Sequence, residues 1–324
     1  MSELLSLDIE TNWLIEDYIE KNTTGVLYGK SGCYKTFLAL DWCLSIAAGK
    51  QWHGQDVNQG LVIYVAGEGN FGLQKRVKAW LAQANIDNEQ IPFVATNQRV
   101  AVRNQDELEV FRDQLKQIDA PIKLIVFDTL RKCFGHGDEN HSQDMGDFLD
   151  KIESIRQEFD TTCLIVHHTN KSNVIRGSNA LESDVDFVFR LESKKSMSCT
   201  LHTDKMKDSE PQPAKQFELA SIQVGSVKNK PVNSLALSVI EYNIDPSINA
   251  PQGVKGRVEQ YILDHCIEPI SWTELINMIT TDFESISTGS VRTALKDLRK
   301  DGSDTLIFSK NGRQNIVQGV IHEQ

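Results

Sequence analysis

The sequence predicts an α/β fold built on a mainly parallel sheet, followed by a smaller helical module. Three observations carry this expectation. Strand-length apolar runs alternate with helix-length amphipathic runs from Thr24 to His167. Two of those runs, Leu124-Ile125-Val126-Phe127 and Cys163-Leu164-Ile165-Val166, are apolar throughout, the pattern of strands covered on both faces by helices. Beyond Gly253 the pattern changes to three helices and then two short strands.

A short helix is expected over 10–20, then strand 24–28, helix 35–48, strand 61–65, helix 70–84, strand 91–95 and helix 105–118. Strand 122–127, helix 142–158 and strand 162–167 complete the alternation, and strands near 186–191 and 197–204 follow. A polar stretch with Pro211 and Pro213 leads to β-like sequence at 216–223 and 234–242. Asn243 to Gly253 holds Pro246, Pro251 and small polar residues and reads as a linker, so the expected units are 1–242, linker 243–253 and 254–324. In the last unit, helices 255–266, 272–280 (Ser271 as N-cap) and 288–300 (Ser287 or Thr288 as N-cap) precede strands 305–309 and 314–320 around Asn311-Gly312, a hairpin signal. Three helices and a β-hairpin in that order spell a winged helix.

The chain has 324 residues, room for one large domain and a small one at about 150 residues per domain. No apolar run approaches the roughly 20 residues that span a bilayer, and Met1 to Leu5 lack the features of a signal peptide, so a cytoplasmic protein with no membrane partner is expected. The six cysteines are widely spaced with no C-x-x-C, which favours reduced thiols over a disulfide framework or a zinc site. A net charge of −11 argues against a protein that coats DNA with its whole surface, but leaves room for DNA in one local groove.

The chemistry starts at Gly29-Lys30-Ser31-Gly32-Cys33-Tyr34-Lys35-Thr36, between the first core strand and a helix that continues from Phe37. Backbone N–H groups of such a loop surround a triphosphate, and the helix N-terminus adds a positive dipole end. Lys35 would reach the β- and γ-phosphates of ATP, and the Thr36 hydroxyl would ligate Mg²⁺. Tyr34 departs from the pattern, since glycine is expected there. Asp128, at the tip of a buried strand, is the candidate metal-site acid. Glu68, between Gly67 and Gly69 after a strand expected to neighbour the loop strand, is the candidate base for the attacking water; a surface acid in a turn is the alternative. His167 and His168 end another strand. Adjacent histidines on a strand face opposite ways and chelate a metal poorly, so His168 as a γ-phosphate sensor competes with a purely structural pair.

Several motifs then resemble one family in order: the loop with Phe37-Leu38-Ala39-Leu40, Trp52-His53-Gly54, Val65-Ala66-Gly67-Glu68-Gly69, Phe127-Asp128-Thr129-Leu130, Gly137-Asp138-Glu139-Asn140, His167-His168-Thr169 and Arg176-Gly177-Ser178-Asn179-Ala180-Leu181. Over about residues 10–240 the chain is similar to RecA-like ATPases grouped with the hexameric replicative helicase RepA of broad-host-range plasmids and with related phage and prophage ATPases. The resemblance implies a RecA-type core, ATP hydrolysis at subunit interfaces and a homo-oligomeric, hexameric ring around single-stranded DNA. It carries nucleotide binding onto Lys35 and Thr36, the catalytic carboxylate onto Glu68, the metal-site acid onto Asp128 and the sensor onto His168. The family's arginine finger falls near Asp186 and does not transfer. Lys205-Met206-Lys207 looks like the lysine pair with which RecA recombinases reach a neighbour's γ-phosphate; a solvated basic turn is the alternative, and Arg176 is a second trans candidate.

For DNA, the polar loop after the sensor strand offers Lys171, Arg176, Ser178 and Asn179 to phosphates, with no aromatic for base stacking. A second loop, Arg131 to Asn140, holds Arg131, Lys132, Phe134 and His136 for the same channel. A functionless surface loop is the alternative for each. In the C-terminal unit, Arg292, Lys296, Arg299 and Lys300 suit a recognition helix, with Lys310 and Arg313 on a wing, for double-stranded DNA or for docking a replication protein. The expected activity is an ATP-driven helicase motor. The competing readings are a nucleotide-gated DNA-binding switch or loader that does not unwind, and an assembly protein whose rings matter more than catalysis.

Overall fold

The computed structural model describes residues 12–67, 70–86, 91–169, 180–193, 197–228, 230–239, 254–266, 268–282, 287–301, 306–311 and 314–319. The chain divides into two compact units, Met1–Tyr242 and Asn243–Gln324. The expected linker, 243–253, lies outside the described residues.

The first unit contains strands β1 (Trp13–Ile15), β2 (Ile19–Glu20), β3 (Thr24–Gly29), β4 (Leu61–Ala66), β5 (Phe93–Ala95), β6 (Ile122–Asp128), β7 (Thr162–His168), β8 (Phe187–Glu192), β9 (Ser198–Met206), β10 (Lys215–Val227) and β11 (Lys230–Val239). Its helices are α1 (Lys35–Ala48), α2 (Asn70–Ala84), α3 (Gln105–Lys116), α4 (Leu130–Cys133), α5 (Ser142–Phe159) and α6 (Ala180–Ser183). Nine strands form one sheet in the order β11-β10-β9-β8-β3-β7-β6-β4-β5. From β8 to β5 every pairing is parallel, and β9 to β11 continue the sheet antiparallel.

Alternate side chains of the parallel strands feed two cores. Leu27, Val62, Tyr64, Leu124, Val126, Leu164 and Val166 share one with α1, while Val26, Ile63, Val65, Ile125, Phe127, Cys163 and Ile165 share the other with α3 and α5. The α3 and α5 helices are amphipathic, and Asn104 caps α3 by accepting from the N–H groups of Asp106 and Glu107. Helix α1 is different. It is buried nearly all round from Leu38 to Ala47, because α1 and α2 also pack against β10 and β11, which curl over them. Gln83 Nε2 donates to the Leu237 carbonyl at 2.5 Å across that contact.

Between these helices lies a buried carboxylate. Asp41 on α1 accepts from the indole N–H groups of Trp52 (2.8 Å) and Trp80 (2.6 Å) and bonds His53 Nε2 at 2.8 Å. The Lys215 ammonium lies 4.7 Å from the Trp52 ring centroid and donates to the His53 carbonyl. Burial pulls the Lys215 pKa down, with Asp41 acting the other way.

Two expectations are corrected. The helix expected over 10–20 is instead an antiparallel hairpin, β1 with β2, turning at Asp17 with φ 63°. Leu14, Ile15, Tyr18 and Ile19 are all buried there, and Tyr18 meets Trp52 edge-on with centroids 4.7 Å apart. Tertiary burial of aromatic and β-branched residues overrides a weak local helix pattern; residues 10 and 11 are outside the described set. The strand leading to Glu68, β4, does not neighbour β3, because β7 and β6 lie between them.

The second unit contains α7 (Val254–His265), β12 (Ile270–Ser271), α8 (Trp272–Asp282), α9 (Thr288–Asp301), β13 (Leu306–Asn311) and β14 (Gln314–Gly319). The strands form an antiparallel sheet in the order β12-β14-β13. Val258, Ile262, Leu275, Ile279, Val291, Leu295 and Val317 make its core. Ser271 and Ser287 cap α8 and α9, their hydroxyls accepting from the N–H groups of Glu274 and Ser290.

Parallel packing of β8 on β3 leaves no room beside Gly25, where a Cβ would sit 2.0 Å from the Phe187 ring. Gly25→Ala is therefore expected to destabilise the protein by about 1–3 kcal/mol. Adding Phe187→Leu should recover part of that loss in urea unfolding; an equal loss in both backgrounds would refute the steric account.

Candidate nucleotide site

Strand pairing brings the candidate residues to one end of the sheet. Gly29, the last residue of β3, pairs in register with His168, and Asp128 at the tip of β6 pairs with Val166 of the same strand β7. The loop from Lys30 to Tyr34 then turns the chain into α1. The backbone is tight at its root: a Cβ on Gly29 would lie 2.3 Å from the Leu191 carbonyl oxygen, so only glycine fits. Gly32 has φ 82°, a conformation glycine adopts freely. Lys30, Ser31 and Gly32 form the exposed rim, while Cys33 is buried against the loop's root. Burial pushes the Cys33 thiol pKa up, with Lys35 acting in the opposite direction.

Lys35 is buried, yet carries an ammonium. Its Nζ donates to the carbonyls of Gly29 (2.9 Å) and Lys30 (2.8 Å) and lies 3.2 Å from His168 Nδ1. An ammonium has no acceptor capacity, so Nδ1 accepts and the imidazole proton of a neutral His168 sits on Nε2. His167, on the opposite face of β7, is buried at 1% exposure.

The Thr36 hydroxyl donates to Asp128 Oδ2 at 2.8 Å. The Tyr64 hydroxyl, from β4, donates to the same oxygen at 2.5 Å. Tyr64 is fully buried, and its phenol pKa is held well above the usual value, first by burial and then by Asp128. Hydroxyl and carboxylate oxygens are hard donors, the set a Mg²⁺ ion prefers. The acceptors around Lys35 are those a phosphate oxygen would replace, so Lys35, Thr36 and Asp128 suit a magnesium nucleotide.

Tyr34 caps α1 with φ 71° and ψ 20°, in the left-handed region. Glycine is expected here for that reason. The tyrosine is held by its side chain: its hydroxyl accepts from the Met197 N–H at 3.2 Å, and its ring meets Phe37 edge-on at 6.1 Å. Arg76 of α2 stacks over the other aromatic, its guanidinium 4.8 Å from the Phe37 centroid. Neither Tyr64 nor Arg76 carries a motif; the only signal in the sequence is a tyrosine inside an otherwise aliphatic strand.

Other candidates lie elsewhere. Glu68, Lys171, Arg176, Ser178 and Asn179 are outside the described residues, as is Arg313. Lys205 is within β9 rather than in a turn beyond it; it pairs with Val188, which pairs with Val26, three residues short of Gly29. Its ammonium donates to the carbonyls of Glu182, Ser183 and Val185. Lys207 is exposed and pairs with Asp186 at 3.2 Å. Asp186 also accepts from the Thr24 N–H at 2.9 Å, which anchors the start of β3 and gives an acid at that position a structural task. In the 131–140 loop, Phe134 is buried against Phe148 and cannot line a channel, a correction to the expected role. Arg103 ties the loop down through Asp144, Asp147 and the His136 carbonyl. On α9, Arg292 and Lys296 are exposed, and Arg299 donates to Asn315 at 3.2 Å. Among the described residues all six cysteines are buried free thiols, and no helix is long and apolar enough to cross a membrane.

Comparison with known proteins gives a family model, described as an AAA domain, that matches residues 2–174. No curated protein matches. Among solved structures, the chain is similar to the ATPase domain of a phage helicase, with a TM-score of 0.48 and 12% identity, over 67% of this chain and 91% of that one.

The anchoring of Tyr34 makes a separable prediction. Tyr34→Ala and Tyr34→Gly both lose the Met197 and Phe37 contacts, but only alanine keeps the left-handed penalty of roughly 1–2 kcal/mol. Tyr34→Gly is expected to be the more stable of the two by about that amount in chemical denaturation; equal stabilities would mean the loop relaxes.

Proposed function

The chain belongs to the AAA-domain family, and on that premise we propose that it is an ATP-hydrolysing, ring-forming RecA-like motor on single-stranded DNA, a replicative helicase of a phage, prophage or plasmid-type element. The observation that carries this reading is the convergence of Lys35, Thr36, Asp128 and His168 at the carboxyl ends of β3, β6 and β7, where open α/β sheets bind ligands.

In this reading the loop N–H groups from Lys30 to Phe37 cradle the phosphates, with the α1 N-terminus behind them. Lys35 leaves the Gly29 and Lys30 carbonyls for the β- and γ-phosphates. Thr36 and Asp128 hold Mg²⁺, which neutralises charge on the phosphates. Glu68 takes the proton of the attacking water. His168, already bonded to Lys35, senses whether that ammonium is engaged with phosphate. Lys205 and Lys207 act on a neighbouring subunit's nucleotide, which requires Lys205 to leave its three carbonyls on ring assembly. The segment with Lys171, Arg176 and Ser178 faces DNA in the ring's channel.

The second unit acts as a winged helix. Its exposed Arg292 and Lys296, with Arg299 a turn further along the same helical face, meet duplex DNA or a replication protein. A nucleotide-gated switch without unwinding is the second reading, favoured by Tyr34, whose side chain pins the loop to Met197 and Phe37.

Lys35→Ala is expected to abolish ATP binding in equilibrium titration; unchanged binding would remove the phosphate-loop assignment. Glu68→Gln should bind ATP and lose turnover by at least the roughly 10²-fold typical of a general base, and normal turnover would clear Glu68 of that role. Strand displacement on a forked duplex, run beside DNA-stimulated ATPase, separates the readings: stimulation with displacement supports the motor, stimulation alone the switch. Lys205→Ala with Lys207→Ala should impair hydrolysis and be rescued by mixing with Glu68→Gln subunits; no rescue despite subunit exchange counts against action in trans.

A further inference from the structure

Asp128 is reached by two hydroxyls from two different elements. Thr36, at the start of α1, and Tyr64, in the middle of β4, both donate to Oδ2, at 2.8 and 2.5 Å. This arrangement has a specific consequence. The terminal torsion of an aspartate is soft and nearly two-fold, so a carboxylate with one donor easily exchanges its two oxygens. Two donors on the same oxygen remove that freedom. The Thr36 hydroxyl has one proton and two lone pairs. While its proton points at Oδ2, its lone pairs are left for a cation, so the orientation of the carboxylate sets the orientation of a metal ligand.

We propose that Tyr64 is a positioning residue for the metal site, its phenol fixing Asp128 so that the Thr36 hydroxyl keeps its lone pairs toward Mg²⁺. The proposal rests on the phosphate-loop reading above and adds a residue to it. Tyr64 touches neither nucleotide nor metal; it acts through Asp128. The phenol is well suited to the task. It is fully buried, and its ring is braced by Phe93 with centroids 6.1 Å apart. It comes from the strand that leads toward Glu68, and it reaches the neighbouring strand's tip, since Ala66 pairs with Asp128. One side chain thus ties the strand before the candidate base to the metal-site acid.

The test is the Mg²⁺ dependence of nucleotide affinity in the full chain, read by fluorescence of a labelled ATP analogue. Tyr64→Phe keeps the ring and deletes only the donor. It should raise the half-saturating Mg²⁺ concentration roughly tenfold, the low end for loss of an outer-shell partner. Affinity for the analogue in EDTA should stay at the wild-type level. In an Asp128→Asn background the same change should shift the Mg²⁺ midpoint much less, because the group it acts through is already altered. Wild-type Mg²⁺ dependence in Tyr64→Phe, or equal shifts in both backgrounds, would overturn the proposal. Loss of affinity in EDTA as well would also overturn it, by assigning Tyr64 to the loop's general integrity. Titration at low temperature covers a variant that melts early. A wild-type chain that binds no analogue would instead sink the phosphate-loop reading itself, so the two failures are told apart.

Discussion

A lysine ammonium buried at the root of a loop is the constraint around which this protein is arranged. Lys35 must be surrounded by acceptors, because an unpaired charge at 6% exposure would cost several kcal/mol. The chain meets that demand with two loop carbonyls and one imidazole. Those acceptors exist only because Gly29 lies directly beside His168 in the parallel ladder. A one-residue slip of β7 against β3 would turn His168 to the opposite face and bring His167 or Thr169 to the loop. The sheet's register is therefore a condition of the site as well as of the core.

The same logic extends across the sheet. Strands β3, β7, β6 and β4 are consecutive neighbours and end at nearly the same level. Each contributes at or near its tip: the loop from β3, His168 from β7, Asp128 from β6, and from β4 a phenol that reaches sideways to Asp128. Residues scattered over more than a hundred positions meet because parallel strands place all their carboxyl ends on one edge.

That arrangement also explains what was legible in the sequence. The phosphate loop, with the strand and helix that flank it, is a local pattern, and Asp128 is read from a strand end; both depend on near neighbours in the chain. Tyr64 is invisible by the same criterion, because its partner lies 64 residues away and its strand looks like any aliphatic strand. The order of strands is likewise non-local, which is why β4 was expected beside β3 and is found with two strands between them. The leading hairpin was misread because Leu14, Ile15, Tyr18 and Ile19 suit a short amphipathic helix as well as a turn-and-return. Packing on Trp52, absent from any local window, decides for the hairpin.

The motif Trp52-His53-Gly54 gains a physical meaning from Asp41. A carboxylate on α1, 4% exposed, needs donors that do not compete with the helix's own hydrogen bonds. Two of its partners come from the turn after α1, where His53 at φ 48° and Gly54 at φ 90° fold the chain back so that the Trp52 indole and the His53 ring reach the same Oδ2. The other donor, Trp80, comes from α2 and takes Oδ1. Charge-assisted bonds in a dry core are the strong kind, and breaking one strands a charge. The helix that begins at Lys35 and the helix that follows Gly69 are thereby fastened to each other at their centres. Movement of α1 at the phosphate loop is carried to α2, and so to the segment that holds Glu68, through a joint made of one carboxylate and two indoles.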